Sequence, residues 1–144
     1  VKKSTKSPKK SDWKPLLAAA KKARAKAYAP YSNYQVGAAV RLKNGSIFSG
    51  CNVENSTYGA TTCAEQVAVF KAVSECGKIQ IIEAVILTES SPPAAPCGIC
   101  RQVLAEFGPK MTLHLVNPKG EQLTLSLAEI FPAVFTPAHL GVKV

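Results

Sequence analysis

The chain has 144 residues, 47% of them apolar and 19% charged, a balance that suits one packed domain and excludes a disordered, collagen-like or coiled-coil chain. Its formal net charge of +9 is concentrated at the start: residues 1–26 carry ten Lys or Arg against one acid, Asp12, and the rest carries eight of each sign. Residues 1–11 therefore read as a basic, disordered leader and 12–144 as the domain; from residue 27 onward the charge is balanced, which gives no reason to expect a specific nucleic-acid partner.

Along the chain, Asp12 is positioned to cap a helix with Pro15 in its first turn and an Ala/Leu/Lys run from Leu16 to Ala27, ending before Pro30. Tyr34–Leu42 and Ser46–Asn52 flank Asn44-Gly45, a strong hairpin signal. Apolar residues at helical spacing over Cys63–Val73, with Thr61 and Thr62 available as caps and Gly77 beyond the end, predict a second helix. The apolar run 81–87 suits a strand covered on both faces. After the Ser90–Pro96 loop come a helix at Gly98–Phe107, a strand at Thr112–Val116, a turn at Asn117–Gly120 and a strand at Gln122–Leu125. This order predicts an α/β fold, a mixed sheet with helices packed on its faces. No apolar run approaches the roughly 20 residues of a membrane span, and the basic start lacks the apolar core of a secretory signal. A cytoplasmic location with no membrane partner is expected.

Five cysteines, Cys51, Cys63, Cys76, Cys97 and Cys100, make an odd set that fits a disulfide framework poorly in such a chain. Cys97-Gly-Ile-Cys100 alone is ambiguous between a redox motif, half a zinc site and coincidence. Upstream, Thr62-Cys63-Ala64-Glu65 places a thiol two residues before a carboxylate at a predicted helix start. Three thiolates can hold Zn²⁺ and leave a fourth position for water, and a Glu followed downstream by Pro-Cys-x-x-Cys resembles the pattern of zinc deaminases. Cys51 and Cys76 read as packing thiols, and neither His114 nor His139 competes with the three cysteines as a ligand.

Four segments in order, Tyr28-Ala-Pro-Tyr-Ser-Asn-Tyr-Gln-Val-Gly-Ala-Ala39, Gly50-Cys-Asn-Val-Glu-Asn55, Cys63-Ala-Glu65 and Pro96-Cys-Gly-Ile-Cys-Arg-Gln-Val-Leu104, resemble the small homotetrameric, Cys₃-zinc cytidine deaminases. The resemblance implies a three-layer α/β/α fold with a five-stranded mixed sheet. It implies hydrolysis of cytidine and 2′-deoxycytidine to uridine and 2′-deoxyuridine plus ammonia in pyrimidine salvage. One Zn²⁺ per subunit would be held by Cys63, Cys97 and Cys100; zinc-held hydroxide would attack C4, with Glu65 shuttling protons to N3 and the leaving amine. Asn52 and Glu54 would take the sugar hydroxyls, and Tyr34, which stands where the family usually has Phe, would lie near the nucleoside. Phe135 would stack on the pyrimidine in a neighbouring subunit's site, with Ser56 and Tyr58 at inter-subunit contacts, so a homotetramer with shared sites is expected.

The residue after the catalytic Glu is commonly Arg in this type and is Gln66 here. Gln brings a hydrogen bond but no charge, leaving Arg101 and the two helix N-termini to offset the thiolates. Three other readings compete. A blasticidin-type antibiotic deaminase shares the Cys and Glu motifs, but the intact Asn52-Val-Glu-Asn55 favours an ordinary sugar. A polynucleotide deaminase more often carries His as first ligand. A non-catalytic zinc module has no need of Glu65.

Overall fold

The computed structural model describes residues 11–144; the expected leader lies outside the described residues except for Ser11. Helix α1 (Lys14–Arg24) precedes a hairpin of β1 (Gly37–Leu42) and β2 (Ile47–Cys51), then α2 (Ala64–Cys76), β3 (Ile81–Leu87), α3 (Gly98–Phe107), β4 (Thr112–Val116), β5 (Gln122–Ser126) and a one-turn α4 (Leu127–Ile130). Short 3₁₀ turns sit at Tyr58–Ala60 and Pro137–Leu140. The strands form one five-stranded sheet in the order β2-β1-β3-β4-β5, parallel between β3 and β4 and antiparallel elsewhere. The expected mixed sheet with helices on both faces is present.

Strand alternation sorts the core into two layers. Val40 and Leu42 of β1, Ala84 and Ile86 of β3, and Leu113 and Leu115 of β4 meet Ala68, Val69 and Ala72 of α2 and Leu104 of α3 on one face. Ala39, Val85, Leu87 and Val116 meet Leu16 and Ala20 of α1 on the other. Gly50 sets how closely α2 approaches the sheet: a Cβ there would lie 2.6 Å from the carbonyl oxygen of Ala64 and the backbone nitrogen of Ala68. The first turn of α2 therefore rests directly on β2.

Four local expectations need correction. Trp13, not Asp12, is the N-cap of α1, although the Asp12 carboxylate still accepts the N–H of Lys14 at 3.2 Å. That helix stops at Arg24 because the next residues tighten into i→i−3 bonds, Lys26 N–H to Ala23 and Ala27 N–H to Arg24. Tyr34–Val36 is not strand, since the Asn52 side chain takes both the Val36 N–H and the Tyr34 carbonyl. Neither Thr61 nor Thr62 caps α2; Cys63 does. The hairpin turn holds, closed by Gly45 N–H to the Leu42 carbonyl, with Gly45 at φ +92°.

Candidate active site

Two helix starts face the same cavity. Cys63 is the N-cap of α2 and Cys97 the N-cap of α3, while Cys100 is buried in the first turn of α3. Their Sγ atoms all lie within 4.8 Å of one another, and among the described residues they are the only such cluster of metal-binding side chains. A tetrahedral ion with Zn–S arms of about 2.3 Å needs sulfurs roughly 3.8 Å apart, so small side-chain adjustments suffice to close the set on zinc. Glu65 stands outside the cluster, leaving three protein donors and an open fourth position, the pattern of catalytic rather than structural zinc. The hydrogen bond from Cys100 lowers the Cys63 thiol to about 7, while the same contact and burial push Cys100 upward. Metal binding requires all three sulfurs as thiolates, so a zinc ion would displace protons from the cluster as it binds.

Glu65, in the first turn of α2, is 6% exposed, and burial raises its carboxyl above the usual range. It lines a cavity of about 210 Å³ with Cys63 and Cys97, walled by Tyr34, Val36, Ile86, Thr88, Ala94 and Ala95. A carboxyl that is costly to ionise, beside a three-sulfur cluster, is suited to taking up and returning a proton. The loop wall is tied down from several sides. The Tyr34 and Ser90 hydroxyls are hydrogen-bonded, Asn117 Nδ2 donates to the Ser90 carbonyl at 3.0 Å, and Thr88 Oγ1 accepts the Ala94 N–H at 3.0 Å.

A second cavity of about 300 Å³, lined by Tyr31, Ser32, Glu54, Tyr58 and Thr61, holds the other predicted carboxylate. Glu54 is 8% exposed and accepts the N–H groups of Tyr31 (2.8 Å) and Ser32 (3.2 Å) on Oε2 and the Ser32 hydroxyl on Oε1. The Ser32 hydroxyl is the chief cause of a carboxyl held below the usual range. Asn52, also 8% exposed, spends its amide on the 34–36 backbone, which leaves one N–H and one lone pair for other partners.

The remaining predicted residues are more dispersed. Ser56 and Phe135 line neither cavity; Phe135 is 55% exposed and stacks on His139 with ring centroids 5.4 Å apart. Tyr58, 76% exposed, meets Tyr31 edge to face. Gln66 Oε1 accepts the Cys63 N–H at 3.1 Å, and Arg101 donates to the carbonyls of Pro96 and Ile130 at 2.8 and 2.7 Å. Both therefore act on backbone around the cysteines. Cys76 is exposed rather than packed, because it ends α2 at the surface, and Cys51 is half-buried. Sequence reasoning missed Ser32, Thr88 and the Ala94-Ala95 wall. Ser32 sits inside a quoted motif, but its bond to Glu54 spans 22 positions and has no local signature.

Comparison with known proteins agrees with this geometry. Residues 10–115 match the family described as the cytidine and deoxycytidylate deaminase zinc-binding region. Cytidine deaminases of Sporosarcina psychrophila and Halalkalibacterium halodurans are each 43% identical over 131 residues, covering 90% of this chain and 96% and 98% of theirs. A crystal structure of cytidine deaminase from Burkholderia pseudomallei superposes with a TM-score of 0.80 at 43% identity, covering 84% of this chain and 97% of that one. With that family's model matched over residues 10–115 and relatives 43% identical across 90% of its length, this chain belongs to the cytidine and deoxycytidylate deaminase family.

Proposed function

We propose that this protein hydrolyses cytidine and 2′-deoxycytidine to uridine and 2′-deoxyuridine, releasing ammonia, with one zinc ion per subunit. The observation that carries this reading is the placement of buried Glu65 against a cavity that also holds Cys63 and Cys97 of the three-sulfur cluster. When bound, zinc supplies Lewis acidity that makes water nucleophilic near neutral pH. Cys63, Cys97 and Cys100 would hold it. Glu65 accepts the proton of the water that adds to C4 and delivers it to N3, then takes the remaining proton of the new C4 hydroxyl and passes it to the amine, which leaves as ammonia while the C4 carbonyl forms. Tyr34, Val36 and Ile86 present apolar surface to the pyrimidine, and Glu54 and Asn52 receive the sugar hydroxyls.

The homotetramer belongs to the same proposal. Tyr28, Tyr31, Tyr58, Phe135 and Leu140 are all more than half exposed, more aromatic and aliphatic surface than an isolated subunit gains from leaving in water. In this reading Phe135 completes a neighbour's site, Ser56 and Tyr58 lie at subunit contacts, and the assembly works in cytoplasmic pyrimidine salvage. Among the described residues no helix is long and apolar enough to cross a membrane. Sedimentation with simultaneous assay of cytidine turnover tests the assembly: activity should travel with a tetramer, and a stable, fully active monomer would contradict the shared site.

A further inference from the structure

Glu54 is a nearly buried carboxylate with no Lys, Arg or His within ion-pair distance among the described residues. Its charge is met by three hydrogen-bond donors, all from Tyr31 and Ser32. An ionised carboxylate offers about four acceptor sites. Two backbone N–H groups occupy Oε2, the Ser32 hydroxyl occupies one site on Oε1, and one site on Oε1 remains. The hydroxyl proton is itself directed, because Ser32 Oγ accepts the Tyr34 N–H at 3.0 Å and so turns its own proton to Glu54. Asn33 between them sits at φ +54°, the left-handed conformation that Asn tolerates better than most residues, and this bend brings Ser32 and Tyr34 into that relay. The Tyr34 carbonyl in turn accepts Asn52 Nδ2 at 2.8 Å, so one short segment ties Asn52 to Glu54.

We propose that Ser32 is a positioning residue for nucleoside recognition, aiming Glu54 so that the open site on Oε1 receives a sugar hydroxyl of the substrate. The inference rests on the deaminase reading and adds the residue that makes Glu54 a competent acceptor. It also predicts a pH signature. The Ser32 hydroxyl is the largest influence holding the Glu54 carboxyl low, so its removal lets the carboxyl protonate at higher pH, and a protonated carboxyl loses acceptor capacity.

The test compares kcat/KM for cytidine and for 2′,3′-dideoxycytidine in wild type, Ser32→Ala and Ser32→Thr. Ser32→Ala should lose about tenfold on cytidine, chiefly in KM, and less than twofold on the dideoxy substrate. Ser32→Thr should recover cytidine turnover to within about threefold. The acidic limb of the cytidine KM profile should move to higher pH in Ser32→Ala alone. Equal losses on both nucleosides, or an unmoved acidic limb, would overturn the assignment while leaving the deaminase reading intact. Wild-type protein that converts neither nucleoside would instead overturn the deaminase reading, and this inference with it.

Discussion

Gln66 accepts the backbone N–H of Cys63 through its side-chain oxygen at 3.1 Å, so the residue beside Glu65 caps the helix that presents one thiol of the three-sulfur cluster. Its role here is structural, where an Arg would bring charge. Replacing Gln66 by Ala removes the cap and should cost about 1 kcal/mol of stability, measured by urea unfolding. Gln66→Arg trades the cap for a cation beside the thiolates. The acidic limb of its pH–rate profile should move to lower pH, because positive charge favours the deprotonated forms. An unmoved limb would remove charge at this position from the account.

Tyr34 joins the cavity wall to the loop after β3 through its hydroxyl contact with Ser90. Tyr34→Phe keeps the ring and loses one neutral hydrogen bond, about 1 kcal/mol. Cytidine KM should rise two- to fivefold with kcat nearly constant in steady-state assays. A fall in kcat beyond fiftyfold would place the hydroxyl in the chemistry itself.

The legible parts of the fold were those with local signals. Asn44-Gly45 announced the hairpin, and helical spacing with Gly77 beyond it announced α2. Gly98–Phe107 and Thr112–Val116 matched the structure end to end. The misread start of β1 had a distant cause: the Asn52 amide supplies the 34–36 segment with bonds that a strand neighbour otherwise would. The cysteines and Glu65 stood out because their chemistry is rare at that spacing. Ser32 did not, because serine is ordinary in a turn and its value comes from Glu54, 22 residues away.

A buried polar network lies away from the cavity. Glu83, 3% exposed, bonds Arg41 at 3.1 Å, His114 Nε2 at 2.9 Å and the Ser11 hydroxyl at 2.9 Å, while Trp13 stacks on His114 with centroids 4.7 Å apart. A carboxylate only accepts, so Nε2 carries the proton and Thr124 donates to Nδ1 when the ring is neutral. Glu83→Gln leaves Arg41 without its counter-charge. It should cost about 3 kcal/mol, the lower end of the range because Arg41 keeps some solvent contact. Urea midpoints would show it, and a loss under about 0.5 kcal/mol would contradict the network's role.

Burial of Glu65 also makes a pH prediction for metal-free protein. Its carboxyl is raised in the folded state, so its contribution to stability is fully present below the unfolded carboxyl value and is lost as pH rises through the folded one. Glu65→Gln carries no such titration. Metal-free wild type should therefore lose stability relative to this variant between acidic and neutral pH; a difference constant with pH would contradict the cost of ionising Glu65.

The most direct measurement follows the ultraviolet absorbance of cytidine after addition of wild-type protein or Glu65→Ala with matched zinc content. Wild type should convert cytidine to uridine, and the variant should be slower by 10² to 10⁴, the range for removing a positioned acid–base group. Equal rates in the two proteins, or no conversion by wild type, would contradict zinc-dependent deamination with Glu65 as the proton carrier.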